Sequence, residues 1–177
     1  MTKRIFLIRH GETLSNKSDP ARGLTPKGIS QVENAAKRIR KFVTPKTAIL
    51  CGNTNRTIQT ARLLSNSLNI PILKHKPLLQ IKGFSEFSQN KTNPIQSFIN
   101  LSKSEMLPTG TETIIQILNR FEKGVSPRLK EHDCLIVVGH GGMLDIVIRF
   151  HHWFKNIYHK NWLKYSQFKC TTIKSVR

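Results

Sequence analysis

Ile5-Phe6-Leu7-Ile8-Arg9-His10-Gly11 runs four apolar residues into a cation, an imidazole and a glycine. A short unbroken apolar run is how a strand buried on both faces of a parallel sheet reads. In open α/β sheets, ligands bind beyond the carboxyl ends of the strands. Arg9 and His10 therefore stand where chemistry on an anion would be done. The pattern returns late in the chain, where Cys134-Leu135-Ile136-Val137-Val138 leads into Gly139-His140-Gly141-Gly142. A third run, Thr47 to Cys51, breaks at Gly52 and precedes a helical segment whose first turn carries Arg56. If these three strands are neighbours, His10, His140, Arg9 and Arg56 converge at one edge. The glycines beside each histidine admit a close ligand and leave backbone N–H groups for phosphate oxygens. Two guanidiniums add rigid forks of donors for the same oxygens. The result is a phosphoryl pocket with an imidazole nucleophile.

Helical patterns lie between the strands. Thr25 suits an N-cap and Pro26 a first helical position, and Ile29, Val32, Ala35, Ala36, Ile39 and Phe42 form one stripe ahead of Pro45. A second helix is expected from Thr54 to Leu68, and a brief extended piece over Ile70 to Leu73. From Pro77 to Pro108 the periodicity weakens, which reads as an excursion over one end of the sheet with a short helix near Ile95 to Leu101. A stripe of Ile114, Ile115, Leu118 and Phe121 predicts a helix from Thr111 to about Lys130, kinked or divided at Gly124 and Pro127. An apolar helix from Met143 to Phe150 and a last strand from Phe168 to Ile173 complete the series. Alternating strands and helices predict an α/β fold, a three-layer αβα sandwich with a mostly parallel central sheet. With no repeat and no linker, residues 1–177 read as one domain carrying an excursion at about 77–108.

Hydrophobic residues make up 38% of the chain, which suits a soluble globular protein, and the apolar runs are too short to cross a bilayer. Lys3 and Arg4 precede only four apolar residues, so no signal peptide is read. Cys51, Cys134 and Cys170 have neither metal-ligand spacing nor an even count, which predicts reduced, buried thiols in the cytoplasm. Charge is the unusual feature: 29 basic against 10 acidic residues, a formal +19. Such a field favours anionic partners. After Asp145 no acidic residue follows, and basic residues alternate with Trp153, Phe154, Tyr158, Trp162 and Tyr165. That texture is compatible with nucleic acid and equally with a solvated basic face. His151-His152 and His159 have no carboxylate or cysteine spacing to make a metal site, and Asp145 suits the first turn of its helix without a catalytic role.

Several stretches together resemble the histidine phosphatase superfamily, the phosphoglycerate-mutase-like enzymes. Arg9-His10-Gly11-Glu12-Thr13, with Asn16 after it, is similar to the family's opening signature. Leu24-Thr25-Pro26-Lys27-Gly28 resembles its Leu-Thr-x-x-Gly helix start, and Arg56-Thr57-Ile58-Gln59-Thr60-Ala61 the segment of its second phosphate-binding arginine. Pro108-Thr109-Gly110-Thr111-Glu112-Thr113, with Arg120 beyond, is similar to its Gly-Glu-Ser start. Val138-Gly139-His140-Gly141-Gly142 resembles its second histidine motif. The resemblance implies that His10 attacks phosphorus to give a phosphohistidine, which water hydrolyses. Arg9, Asn16, Arg56 and His140, with the Gly141 N–H, would hold the phosphoryl oxygens, and no metal or cofactor is needed. It also implies a neutral His10 held in one tautomer by a backbone carbonyl, and a charged His140.

One element departs from the family pattern. Its proton-donating glutamate falls here on Gln80, in Leu78-Leu79-Gln80, ahead of Phe84-Ser85-Glu86-Phe87. A positioned general acid is worth ~10²–10⁴ in rate, and an amide cannot act as one. Three readings remain open. Glu86 supplies the proton; or the substrate's leaving group needs none; or the chain is a catalytically weak binder of phospholigands or polyanions on the same fold. Glu12 is a minor further candidate. A phosphorylated small molecule or a phosphoprotein is the expected partner, and the short excursion disfavours a mutase.

Overall fold

A computed structural model describes residues 3–14, 21–73, 81–84, 93–157 and 168–173. Five strands form one sheet: β1 (Lys3–Arg9), β2 (Thr47–Cys51), β3 (Ile72–Leu73), β4 (Cys134–Gly139) and β5 (Phe168–Ile173). Their order is β3-β2-β4-β1-β5. The first four run parallel and β5 pairs antiparallel with β1, from Lys3↔Ile173 to Ile8↔Phe168. Among the described residues, five helices pack on it: α1 (Pro26–Ile39), α2 (Asn55–Leu68), α3 (Pro94–Lys103), α4 (Ile114–Glu131) and α5 (Gly141–Phe150). Single turns of 3₁₀ helix follow α1 at Arg40–Phe42 and, over a longer span, α5 at His152–Ile157.

The strand period of two sorts the sheet residues into two cores. Ile5, Leu7, Ala48, Leu50, Leu135 and Val137 face Ile117, Phe121, Val125 and Leu129 of α4 and Leu144 and Val147 of α5. Phe6, Ile8, Ile49, Cys51, Ile136 and Val138 face Val32, Ala36 and Ile39 of α1 and Ala61, Leu64 and Leu68 of α2. Every strand residue of β2 and β4 is buried, which explains why these runs show no polar alternation. The three-layer sandwich is the architecture that the alternating elements imply.

Local signals account for most element ends. Thr25 caps α1 by accepting the Gly28 N–H at 3.0 Å, with Pro26 at the first position. Thr113 and Gln116 close a capping box at the start of α4. Differences from the sequence-based expectations are confined to faces and ends. Ile29 and Ile115 are exposed, because the caps at Thr25 and Thr113 fix each helix's phase and turn these residues outward. Helix α4 runs undivided through Gly124 and Pro127: tertiary contacts of Val125 and Leu129 hold it where Pro127 can donate no hydrogen bond. Helix α5 begins at Gly141, two residues earlier than the apolar pattern suggests.

Two glycines let α1 sit against the loop after β1. A Cβ on Gly11 would lie 2.6 Å from the Gly28 carbonyl oxygen, and one on Gly28 would collide with Glu12 backbone. Helix propensity alone would favour Gly28→Ala by up to about 1 kcal/mol. The collision with backbone, which cannot rotate away, outweighs this, and Gly28→Ala is expected to destabilise the protein by about 1–3 kcal/mol. Urea unfolding of the two chains checks it; an unchanged or raised midpoint contradicts the packing.

Candidate active site

Strand β4 lies between β1 and β2, with Arg9 opposite Gly139 and Cys51 opposite Val138. All three strands thus end at one level. The His10 N–H donates to the Gly139 carbonyl at 3.0 Å and the Gly52 N–H to the Val138 carbonyl at 3.3 Å. His10 leaves β1 and His140 leaves β4, so their rings meet edge to face, centroids 5.2 Å apart. Arg56, in the first turn of α2, is buried beside them. The Gly11 N–H donates to Thr60 Oγ1 at 3.2 Å, and Thr60 Oγ1 donates to the Arg56 carbonyl at 2.8 Å. One threonine thereby ties the His10 loop to the helix that carries Arg56.

His10 Nδ1 lies 2.8 Å from the Gly11 carbonyl oxygen. A carbonyl only accepts, so Nδ1 holds the proton and Nε2 keeps its lone pair. That is the tautomer a nucleophilic imidazole requires. Arg56 Nη2 approaches His140 Nδ1 at 3.5 Å, and His140 Nε2 lies 3.4 Å from Thr54 Oγ1. A guanidinium only donates, which leaves the His140 proton on Nε2. Both imidazoles are held well below their ordinary pKa of 6.5, His10 at about 4 and His140 at about 2. Burial is the main cause for both. For His140 the His10 charge comes next, and Arg56, Arg9 and Arg22 oppose protonation of both rings; the Gly11 bond partly offsets this at His10. The expected charged His140 is therefore corrected for the ligand-free site: burial and the cations around it keep its ring neutral.

Arg9, Arg56, His10 and His140 line one cavity of about 220 Å³, together with Arg22, Ile81, Phe84, Gly141, Gly142 and Met143. Arg22 is the residue that sequence reasoning missed. It arrives because Thr13 bridges Leu24 and folds the segment before α1 back over the His10 loop, where Arg22 Nε donates to Thr13 Oγ1 at 3.3 Å. Nothing in local periodicity announces that fold-back. Gly141 opens α5 directly behind His140, so a helix N-terminus meets the cavity. A Cβ there would lie 3.1 Å from Arg9 Cδ, Nε and Cζ, so only glycine lets Arg9 lie flat on this turn.

Glu12 is taken up by structure: it pairs with Lys27 at 3.0 Å, and its N–H donates to Gln31 Oε1 at 3.0 Å. Glu112 binds Arg120 through two 2.7 Å bonds and receives the Lys82 N–H at 3.4 Å, fixing the segment that presents Ile81 and Phe84. Asp145 lines a neighbouring cavity of about 540 Å³ with Arg9, Phe84, Asn93, Pro94, Ile95, Gly141 and Gly142. Cys51 is buried, and burial pushes its thiol pKa up. Asn16, Gln80 and Glu86 lie outside the described residues, as do residues 158–167 and 174–177 of the basic C-terminal segment.

Residues 5–174 match the model of the histidine phosphatase superfamily, branch 1. The chain is 26% identical over 158 residues to a metal-independent phosphoserine phosphatase of Arabidopsis thaliana, covering 81% of this chain and 66% of that one. It is 28% identical over 160 residues to an adenosylcobalamin/α-ribazole phosphatase of Salmonella typhimurium, covering 82% and 77%. Among solved structures, Bacillus stearothermophilus YhfR superposes with a TM-score of 0.68 at 18% identity, over 95% of this chain and 90% of that one. The matched relatives are named as phosphatases and phosphoglycerate mutases, and they support a phosphatase enzyme. The chain belongs to the histidine phosphatase superfamily.

Depressed histidine pKa values carry a sign for stability. Below pH 6.5 the unfolded chain binds protons that the folded site refuses, so stability falls as pH drops through 6.5 toward about 4 for His10 and about 2 for His140. In phosphate-free protein, NMR titration should find neither ring protonated between about pH 8 and 5. Added vanadate, an anion among the cations, should raise both midpoints. A His10 midpoint near 6.5 without ligand contradicts the burial that sets these values.

Proposed function

We propose that the chain is a metal-independent phosphatase that hydrolyses phosphate monoesters or a phosphoprotein through a phosphohistidine on His10. The observation that carries this reading is the His10 tautomer, with Nδ1 committed to the Gly11 carbonyl in a cavity lined by Arg9, Arg22, Arg56 and His140. Nε2 attacks phosphorus in line, forming the N–P bond as the ester P–O bond breaks. The arginines and the Gly141 N–H take the charge on the three remaining oxygens. As the dianion enters, His140 gains a proton and becomes a further donor. Asn16 completes the set of phosphoryl ligands. The departing oxygen takes its proton from Glu86, which replaces the acid missing at Gln80. Water, giving a proton back to the Glu86 carboxylate, then attacks phosphorus; the N–P bond breaks, Nε2 regains its lone pair and inorganic phosphate leaves.

The relatives support the reaction class, since they include a metal-independent phosphoserine phosphatase and an adenosylcobalamin/α-ribazole phosphatase. The larger cavity shares Arg9, Phe84, Gly141 and Gly142 with the phosphoryl pocket, and gives the alcohol portion of a substrate room beyond the reacting phosphorus. The +19 charge would draw anionic substrates to it.

Steady-state hydrolysis of an aryl phosphate and an alkyl phosphate, in the presence of a chelator, tests the mechanism. His10→Ala should abolish both reactions and the acid-labile phosphoryl label on the protein. Arg56→Ala should lower kcat/KM for both by about 10²–10³. Glu86→Gln should slow the alkyl ester by about 10²–10⁴ and the aryl ester far less, since a phenolate leaves without a proton. Equal turnover by native and His10→Ala chains overturns the proposal. Vanadate binding without turnover would instead favour a phospholigand-binding protein, the reading that Gln80 motivates.

A further inference from the structure

We propose that Glu122, His151 and His152 form a binding site for one zinc-class divalent cation. The site joins α4 to the turn after α5, and none of the three residues lines either cavity described above. In the sequence the two histidines have no carboxylate near them; the fold supplies one from α4.

The three side chains offer one ligand atom each, all within 4.8 Å of one another. A point equidistant from three atoms so spaced lies about 2.8 Å from each, so small side-chain rotations reach the ~2.0–2.2 Å of zinc bonds to His nitrogen and carboxylate oxygen. Two imidazoles and a carboxylate are a borderline donor set that suits zinc better than calcium or magnesium.

His151 is the second, independent observation. Its side chain is only 2% exposed, and Nε2 is buried without a hydrogen-bond partner. Glu122 Oε2 stands 3.4 Å from that nitrogen, out of line for a hydrogen bond. Buried polar atoms are seldom left so; a cation between nitrogen and carboxylate satisfies both. Its neighbours hold the ring in place. It stacks on His152 with centroids 4.5 Å apart at 24°, and packs against Trp153 at 4.6 Å and Phe121 at 5.3 Å. Glu122 and His152 reach solvent, leaving an entry path and a place for a water as fourth ligand.

Ligation through Nε2 has one further consequence. Trp153 N–H now donates to His151 Nδ1 at 3.3 Å, which places the ring proton on Nε2. Binding exchanges that proton for one on Nδ1, with no net change in the ring, and opens the Trp153 contact. The Trp153 amide is therefore a reporter of occupancy.

The test is calorimetric titration of the chelator-stripped full chain with Zn²⁺, beside Co²⁺ absorption and amide NMR. One ion per chain should bind, with tetrahedral-type Co²⁺ bands and a shift of the Trp153 amide. Glu122→Gln and His152→Ala, both at accessible positions, should each weaken binding at least about tenfold and remove the bands. His10→Ala should leave them intact, which separates this site from the catalytic pair. Absence of Zn²⁺ uptake, or uptake unaltered in the Glu122→Gln/His152→Ala double variant, overturns the proposal whether or not the chain proves to be a phosphatase.

Discussion

The structure depends on the parallel pairing of β4 with both β1 and β2. Register in a sheet is a discrete quantity: a slip of one residue turns every side chain to the opposite face. With Arg9 opposite Gly139 and Cys51 opposite Val138, three strands finish together and their next residues share one space. His10 and His140 meet for this reason, although 130 positions separate them in the sequence. The same register sets odd and even strand residues into the two cores, so a slip that displaced His10 would also bury the wrong faces. Stability and site geometry therefore rest on one set of hydrogen bonds.

Electrostatics then decides what the paired histidines are. Imidazoles with an ordinary pKa near 6.5 would be about one-quarter charged at pH 7. Burial, with Arg9, Arg22 and Arg56 around them, keeps both neutral in the empty site. The Gly11 carbonyl orients one lone pair outward and the Arg56 guanidinium orients the other ring. Three arginines around two neutral rings leave a site built this way short of negative charge.

Much of this was legible in the residues. Thr25-Pro26, the bounds of β2 and β5, and the alternation of strand and helix follow from capping chemistry and apolar runs, which are local. His10, Arg9, Arg56 and His140 were readable because each sits at a strand end or helix start, where α/β folds place ligands. Arg22 was not readable, since the Thr13–Leu24 bridge that brings it in is a non-local contact. The start of α5 was misplaced because glycines read as breaks. Here Gly141 begins the helix, and its missing Cβ leaves room for the Arg9 side chain 3.1 Å away. Helix phase misled at Ile29 and Ile115, whose exposure depends on a cap one to four residues away.

By itself the sequence determined the element series, the sandwich class and much of the chemical inventory of the cavity: two histidines and two arginines. These are encoded by short-range patterns of burial, capping and turn chemistry, each spanning a few residues. Tertiary structure alone decided the tautomer of His10, the neutrality of both rings, the entry of Arg22 and the meeting of Glu122 with His151 and His152. Those properties depend on desolvation and on distances between residues far apart in the chain. No linear spacing records them.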